Sequence, residues 1–270
     1  MTSADTAVPA ADRLRTIVIV PTYNERENIE RLCAEILAGG TALEVLVVDD
    51  NSPDGTAALV RRIQREEPRV HLLCRPAKLG LGTAHIAGFC WALGRDYERV
   101  VTMDADFSHP PDRISAMLDA SLRSDVVLGS RYVPGGGYAG WGPHRVLLSS
   151  ISGLVARTAL RLPAADVTGA FRCFRREVLE RIRFENIVSK GYSFQEEMLW
   201  HCTGRGWRIA EVPILFVDRR LGASKISLGE IWGGIWTVFR LMFTPHSRRA
   251  GPPERVGRPA APPGLPDRGA

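Results

Sequence analysis

The 270-residue sequence lacks the run of about 18 apolar residues that a membrane-spanning helix requires, so it predicts no such helix. The segment Met1–Arg13 carries Asp5 and Asp12 and has no apolar stretch, and it is therefore not expected to be a signal peptide. Five cysteines are present, but they form neither a C-x-x-C motif nor a paired framework. We expect reduced thiols in a cytoplasmic protein.

The glycine pattern of dinucleotide-binding folds is also missing. The first strand-like run, Thr16–Val20, leads into Pro21–Glu25 instead of G-x-G-x-x-G, which argues against a nicotinamide enzyme. The net charge of +5 and the isoelectric point of about 9.2 favour anionic partners such as nucleotides, phospholipid surfaces or nucleic acid. Nucleic acid is disfavoured, because arginines concentrate in the C-terminal tail and no nucleic-acid fold signal is present.

Apolar strand-like runs alternate with helix-like segments in the first half of the chain. This alternation predicts an α/β fold with a buried, mostly parallel central sheet flanked by helices. The strands are expected at Thr16–Val20, Leu43–Val48, Val70–Cys74, Val100–Met103 and Val126–Leu128. The helices are expected at Glu25–Leu37, from an N-cap at Ser52 to about Glu66, at Thr83–Leu93 and at Asp112–Leu122.

The second half has a different character. A flexible loop at Pro134–Gly137 precedes helices at Pro143–Leu160, Arg175–Ile182 and Phe194–Cys202, and Ile209–Val217 reads as a proline-containing edge strand. Ile226–Phe243 has aromatic and apolar residues at helical spacing, which fits either a membrane-interface helix or a helix packed on the protein's own core. Residues 1–14 and the Pro- and Arg-rich tail 244–270 are expected to be disordered, with the tail in weak contact with anionic lipid.

Two carboxylates, Asp104 and Asp106, follow the fourth predicted strand. Side chains at i and i+2 of an extended backbone point to the same side, so both are expected to face one point beyond the carboxyl end of the strand. Open α/β sheets bind ligands there, and two hard oxygen ligands suit Mg²⁺ or Mn²⁺ with diphosphate oxygens completing the shell. The alternative is a solvated loop after a strand.

Candidate nucleotide-binding residues follow the first three strands. The ring of Tyr23 is suited to cover a base or ribose and Glu25 to accept a base N–H, although this segment also fits a turn in which Asn24 caps the next helix. Asp50 lies where doubly wound folds hold a nucleotide, or else caps a helix. Lys78, in a glycine-containing stretch, brings charge to phosphates. Four further cations lie on predicted loops, namely Arg131, Arg145, Arg219 and Lys225. Together with the two carboxylates, they are more charged groups than a solvated surface alone would explain.

Eight segments, taken in order, resemble family 2 glycosyltransferases of the GT-A fold, and more narrowly dolichol- or polyprenol-phosphate mannose synthases. They are Pro21–Glu25, Val47–Gly55, Lys78–Thr83, Asp104–Pro110, Gly129–Tyr132, Asp166–Arg172, Lys190–Met198 and Val217–Lys225. The resemblance covers roughly residues 15 to 243. It implies a GT-A domain at 15–225 and an interfacial amphipathic helix at 226–243.

The resemblance also implies site residues. GDP-mannose is expected to contact Pro21, Tyr23, Glu25, Val48, Asp50, Lys78, Asp104, Ala105 and Asp106. Asp104 and Asp106 are expected to hold Mg²⁺ or Mn²⁺; Ser108 stands where archaeal relatives have a glutamine ligand, and water can replace its shorter hydroxyl there. Arg131, Arg145, Arg219 and Lys225 are expected to bind the acceptor phosphate. Asp106, Arg131 and Glu197 are the expected catalytic residues.

The implied reaction transfers mannose to a polyprenyl phosphate. A phosphate monoester with a second pKa of about 6 is mostly dianionic at neutral pH, so it needs no general base, and one in-line attack gives a β-mannosyl phosphate. The protein is expected on the cytoplasmic face of a membrane, reaching its lipid through helix 226–243 or a separate membrane-spanning subunit. A UDP-glucose-dependent glucosyltransferase and a non-catalytic nucleotide-sugar-binding subunit are the alternatives.

Overall fold

The computed structural model describes residues 14–203, 206–218 and 228–244. The strands in these ranges are β1 (Thr16–Thr22), β2 (Leu43–Asp49), β3 (Val70–Cys74), β4 (Arg99–Thr102), β5 (Val126–Ser130), β6 (Gly137–Ala139), β7 (Arg172–Arg175), β8 (Ile209–Pro213) and β9 (Leu215–Val217). Seven of them form one sheet in the order β3-β2-β1-β4-β7-β5-β8, and β6 pairs with β9 in a second. Within the larger sheet, β7 is antiparallel to β4 and β5, and the other neighbouring pairs are parallel.

Helices cover both faces of the larger sheet. They are α1 (Arg26–Ala38), α2 (Thr56–Glu66), α3 (Leu81–Leu93), α4 (Ile114–Ser121), α5 (Pro143–Leu160), α6 (Arg176–Glu180), α7 (Phe194–Thr203) and α8 (Leu228–Met242). Side chains of β1 alternate between two cores. Ile17 and Ile19 pack with residues of α3, α5, α7 and α8, whereas Val18 and Val20 pack with residues of α1, α2 and α4. The predicted mostly parallel sheet between helices is confirmed.

One strand of the sheet was not predicted. β7 is only four residues long and has an arginine at each end, so its sequence contains no apolar run. Cys173 and Phe174 are nevertheless buried, because β7 is inserted between β4 and β5. The predicted strand at 209–217 is in fact two strands. β8 forms the edge of the larger sheet, as its proline requires, and β9 leaves to pair with β6.

The predicted N-cap at Ser52 is wrong, because α2 begins at Thr56. Ser52 Oγ instead donates to Asp49 Oδ1 at 2.6 Å and closes a turn after β2. Asp54 Oδ1 accepts the Thr56 backbone N–H at 2.9 Å. The helix predicted from Asp112 likewise begins later, at Ile114, after a 3₁₀ turn.

The two interpretations of the helix at 226–243 each describe one face of α8. Thr237 and Leu241 are only 3% and 2% exposed, and the helix packs against α5 and α7. On the opposite face Trp232, Trp236 and Phe239 are 69%, 56% and 60% exposed. α8 is therefore both part of the core and the carrier of an open aromatic face. In the described ranges, no helix is long and apolar enough to cross a membrane.

Candidate active site

The site lies at the edge of the sheet where its parallel strands end. Thr22 at the end of β1 is opposite Asp49 of β2, and Asp49 is opposite Cys74 of β3. β4 runs parallel to β1 on its other side. The segments that follow these four strands therefore share one edge, as expected for ligand sites of open α/β sheets.

The first corner of this edge joins Tyr23, Lys78 and Asp50. Lys78 Nζ lies 4.1 Å from the centre of the Tyr23 ring. Asp50 Oδ2 accepts the Leu79 backbone N–H at 3.1 Å, and Arg75 Nη1 lies 2.9 Å from Asp50 Oδ1. Burial raises the pKa of Asp50, although the charge of Arg75 counteracts the shift. The turn that carries Lys78 is thus held against the end of β2.

Neither helix-cap alternative describes this corner. α1 has its N-cap at Glu25 and no side-chain cap bond, and the N-cap of α2 is Gly55. Glu25 Oε2 accepts a hydrogen bond from Asn28 Nδ2 at 3.0 Å. Asn24 and Asp50 therefore do not cap these helices.

Of three further predicted donor residues, two have little side-chain surface to offer. Pro21 lies opposite Val48 in the β1–β2 pairing and is only partly buried. The Val48 side chain is fully buried in the core, and Ala105 is 4% exposed. Val48 and Ala105 can shape the edge, but their side chains do not project into it.

Asp104 and Asp106 lie in a loop rather than in an extended strand, because β4 already ends at Thr102. The backbone bends from residue 105 onward, so it is not extended through both aspartates, and the expectation that the two carboxylates face one point stays a prediction. The loop is fixed by its own bonds: the Asp104 N–H donates to His109 Nδ1, and the Ser108 N–H donates to Asp106 Oδ1, each at 3.0 Å. The His109 ring stacks on Phe171 with centroids 5.4 Å apart, so the loop is anchored to the core.

Ser108 supplies the observation that bears on a metal. Its Oγ is buried and finds no hydrogen-bond partner in the part of the chain that the structure describes. An orphaned oxygen in the loop that carries Asp104 and Asp106 is a suitable donor for a hard divalent cation. Groups of three or more His, Cys, Asp or Glu residues arranged for a metal do not occur among the described residues. These three residues fit a cation whose shell is completed by other oxygens, such as those of a diphosphate.

Arg131, expected to bind phosphate, is held in a buried ion pair. Its Nε and Nη2 donate to Asp166 at 2.7 and 2.6 Å, its backbone N–H donates to the same carboxylate at 3.0 Å, and Nη2 also reaches Thr168 Oγ1 at 2.6 Å. Burial alone would raise the pKa of Asp166, but the bonds from Arg131 outweigh it and hold that pKa below its ordinary value. The charge of Arg131 is thus already balanced. Asp166, whose individual role the sequence did not reveal, is a partner of the site.

Of the other three side chains predicted to bind the acceptor phosphate, one lies among the described residues. Arg145 lies in the first turn of α5, donates to both oxygens of Asp218 at 2.9 and 3.1 Å, and lies 4.0 Å from the centre of the Trp141 ring. Its side chain is 34% exposed, so it is reachable by a ligand. Arg219 and Lys225 lie outside the described residues.

Glu197, expected to be catalytic, holds a loop in place. Its carboxylate is fully buried and accepts the backbone N–H groups of Val188, at 3.2 Å, and Ser189, at 2.8 Å. It also accepts a hydrogen bond from Arg240 of α8. These bonds connect α7, the loop before it and α8. The Glu197 carboxylate is therefore a structural anchor for this loop.

Glu196, its neighbour, was not predicted as a site residue. Burial raises its pKa to about 7, and Arg172 and Asp166 are the charges that act on it. Its Oε2 has no hydrogen-bond partner within the described ranges. The proximity of Glu196 to Asp166 arises only in the tertiary structure; the sequence offered no more than two adjacent acids in a helix.

Comparison of the sequence with known proteins identifies the family of this chain. Residues 17–183 match the model of glycosyl transferase family 2. The chain is 45% identical over 226 residues to polyprenol monophosphomannose synthase of Mycolicibacterium smegmatis, covering 83% of this chain and 85% of that protein. It is 42% identical over 227 residues to undecaprenyl-phosphate mannosyltransferase of Micrococcus luteus, with 84% and 93% covered.

Solved structures share the fold at lower identity. A glucosyl-3-phosphoglycerate synthase from Mycobacterium tuberculosis, in complex with Mn²⁺, UDP and phosphoglyceric acid, superposes with a TM-score of 0.61 at 22% identity, over 87% of this chain and 81% of that one. The mannosyltransferase PcManGT from Pyrobaculum calidifontis, in complex with GDP-mannose and Mn²⁺, gives 0.53 at 22% identity, over 80% and 60%. The fold is that of GT-A glycosyltransferases, and the chain belongs to glycosyl transferase family 2.

Proposed function

We propose that this protein transfers mannose from GDP-mannose to a polyprenyl phosphate and forms a β-mannosyl phosphate with inversion. The names of the two relatives above 40% identity support the reaction class, since each is matched over most of its length. The observation that carries the proposal is the shared edge. It brings the Tyr23–Lys78–Asp50 corner next to the loop of Asp104, Asp106 and Ser108.

In this proposal the nucleotide occupies the first corner. The Tyr23 ring covers the base or ribose, Lys78 approaches the phosphates, and Asp50 holds the intervening turn in place. Asp104, Asp106 and Ser108 would hold Mg²⁺ or Mn²⁺, which when bound offsets the negative charge of the departing diphosphate. Glu25, which accepts a hydrogen bond from Asn28, is proposed to accept a base N–H as well.

The acceptor explains why no general base is required. A phosphate monoester is mostly dianionic at neutral pH, so its oxygen is already a nucleophile. This chemistry agrees with the use of Glu197 as a loop anchor. What the acceptor needs is cationic positioning, which Arg145 supplies from the start of α5, with Arg219 and Lys225 as proposed partners.

We further propose that a lipid bilayer surface covers the exposed faces of α5 and α8. The two helices pack together, and both present large apolar side chains that are at least half exposed. These are Leu147, Leu148, Ile151, Leu154 and Val155 of α5, with Trp232, Ile235, Trp236, Phe239 and Met242 of α8. Arg157 and Arg161 are exposed at the other end of α5 from Arg145, which suits anionic headgroups. The protein would thus lie peripherally on the cytoplasmic face, close to its lipid substrate.

Turnover measurements test the proposal. Purified protein is incubated with GDP-mannose or UDP-glucose, Mg²⁺ or Mn²⁺, and a short-chain polyprenyl phosphate, and the anomeric configuration of the product is read by NMR. We expect turnover with GDP-mannose and a β product. Preference for UDP-glucose would establish a glucosyltransferase, and donor binding without turnover would establish a nucleotide-sugar-binding subunit. Sedimentation with anionic vesicles tests the membrane face, and loss of binding is expected for Trp232→Ala with Trp236→Ala.

A further inference from the structure

The inner face of α8 is bonded to the loop that precedes α7. Arg240 donates to Glu197, and Glu197 accepts the Ser189 N–H at 2.8 Å. Thr237, one turn earlier on α8, lies with its Oγ1 3.0 Å from Ser189 Oγ and 3.2 Å from Ser193 Oγ. We call these five side chains the α8 latch. The Glu197 side chain is fully buried and that of Arg240 is 22% exposed, so this ion pair is poorly screened by solvent.

The latched loop in turn supports the turn at the start of α3. Lys190 O accepts the Gly82 N–H at 2.8 Å. A Cβ added to Gly80 would lie 2.8 Å from Lys190 O, and one added to Gly82 would lie 2.7 Å from Ser189 O. Contacts this short exclude any side chain at either glycine. The two backbones therefore fit directly together, and a shift of the loop would be transmitted to the turn.

That turn carries the nucleotide corner. Leu79, immediately before Gly80, donates its backbone N–H to Asp50, and Lys78 lies over the Tyr23 ring. Arg75 reaches the same turn, donating to Thr83 Oγ1 at 2.6 Å. A continuous series of hydrogen bonds and backbone contacts thus runs from α8 through the latch and the loop to the residues assigned to the donor.

We propose that Arg240 and Thr237 of α8 are positioning residues for the donor-binding turn at 78–82. The inference rests on the proposed function for the identity of the donor. Without Arg240, the buried Glu197 carboxylate would lose its counter-ion, and the loop would have to move to let water reach it. That movement withdraws Lys190 O from Gly82 and loosens the turn. α8 therefore contributes to nucleotide binding through Arg240 and Thr237, which act on the turn by way of the latched loop.

Four substitutions test the proposal: Arg240→Gln, Arg240→Lys, Thr237→Val and, as a matched control, Arg62→Gln. Arg62 forms an Arg–Glu pair with Glu30 at 2.9 Å, but both side chains are more than half exposed, and the pair lies between α1 and α2. The affinity for GDP-mannose is measured by calorimetry, and the Michaelis constants of donor and acceptor are measured with short-chain lipid. Hydrogen exchange of segments 80–83 and 187–193 is followed without any ligand.

Arg240→Gln removes one charge-assisted hydrogen bond of the α8 latch. Because the loosened turn must then be ordered when the donor binds, we expect the affinity for GDP-mannose to fall about tenfold. The KM for the donor should rise while that for the acceptor stays unchanged, and both segments should exchange faster. Arg240→Lys should restore part of the affinity, Thr237→Val should cause a smaller loss, and Arg62→Gln should match the wild type. A purely structural role would not separate the donor KM from the acceptor KM.

Wild-type donor affinity in folded Arg240→Gln and Thr237→Val would overturn the proposal, even if exchange became faster. If Arg240→Gln does not fold, Thr237→Val decides by the same criterion. Failure of the wild type to bind GDP-mannose would instead refute the donor assignment. The exchange data, together with the affinity for whichever nucleotide sugar does bind, would still test the latch.

Discussion

Replacing Asp166 by alanine is expected to lower the free energy of unfolding by about 3–5 kcal/mol, because the buried Arg131 guanidinium loses its counter-ion. The size of the effect follows from the geometry. The Asp166 side chain is fully buried and that of Arg131 is 7% exposed, so solvent screens the pair very little. The carboxylate accepts three hydrogen bonds from Arg131, at 2.6, 2.7 and 3.0 Å.

A double-mutant cycle isolates the interaction between the two side chains. Urea unfolding at pH 7.5 is measured for Asp166→Ala, Arg131→Met and the double variant, and we expect a coupling of about 2–3 kcal/mol. The pair Arg31–Glu35 is the control, since its side chains are 65% and 39% exposed and its coupling should stay below about 1 kcal/mol. A coupling for Arg131–Asp166 no larger than that of the control would refute the reasoning.

The same pair predicts a pH dependence of stability. The folded-state pKa of Asp166 is held below its ordinary value of 3.8. Its contribution to stability is therefore fully present above that ordinary value and is lost as the pH falls through the lowered folded-state pKa. The acid limb of the unfolding profile should flatten in Asp166→Ala.

Three further results are expected. Asp106→Ala should abolish transfer while circular dichroism and thermal unfolding stay close to wild type, because this carboxylate is proposed to hold the metal and its bond to the Ser108 N–H stabilises a loop rather than the core; near-wild-type turnover with saturating Mg²⁺ would contradict the assignment. Arg219→Ala and Lys225→Ala should each lower the efficiency with the lipid acceptor about ten- to a hundredfold, mainly through the acceptor KM, because each side chain is proposed to donate a charge-assisted hydrogen bond to the acceptor phosphate; a loss of donor affinity with an unchanged acceptor KM would place them at the diphosphate instead. Glu196 has a pKa of about 7, above the ordinary 4.5, so the folded state retains its proton more strongly and stability should fall between these two pH values as pH rises. Glu196→Gln should remove that fall in urea unfolding measured at pH 5 and pH 8, and an unchanged slope would show that another group causes it.

The local pattern of the sequence was enough for most elements of the sheet and helices. β3 and α5 begin and end where the periodicity predicted, and the α/β class follows from the alternation of apolar strands with amphipathic helices. These features depend on side chains a few residues apart. β7 was missed because it is short and charged at both ends, and it exists only because β4 and β5 offer it two partners.

For the site, the sequence by itself determined which carboxylates and cations follow the strands, since a parallel sheet brings its carboxyl ends to one edge. The tertiary structure alone decided how those groups are used. Arg131 meets Asp166 and Arg240 meets Glu197, and each of these buried pairs joins residues far apart in the chain. Periodicity reports which face of an element is apolar, whereas the partner of a buried charge depends on which distant segments fold against it. The pairing of charges and the inner face of α8 therefore emerged only with the fold.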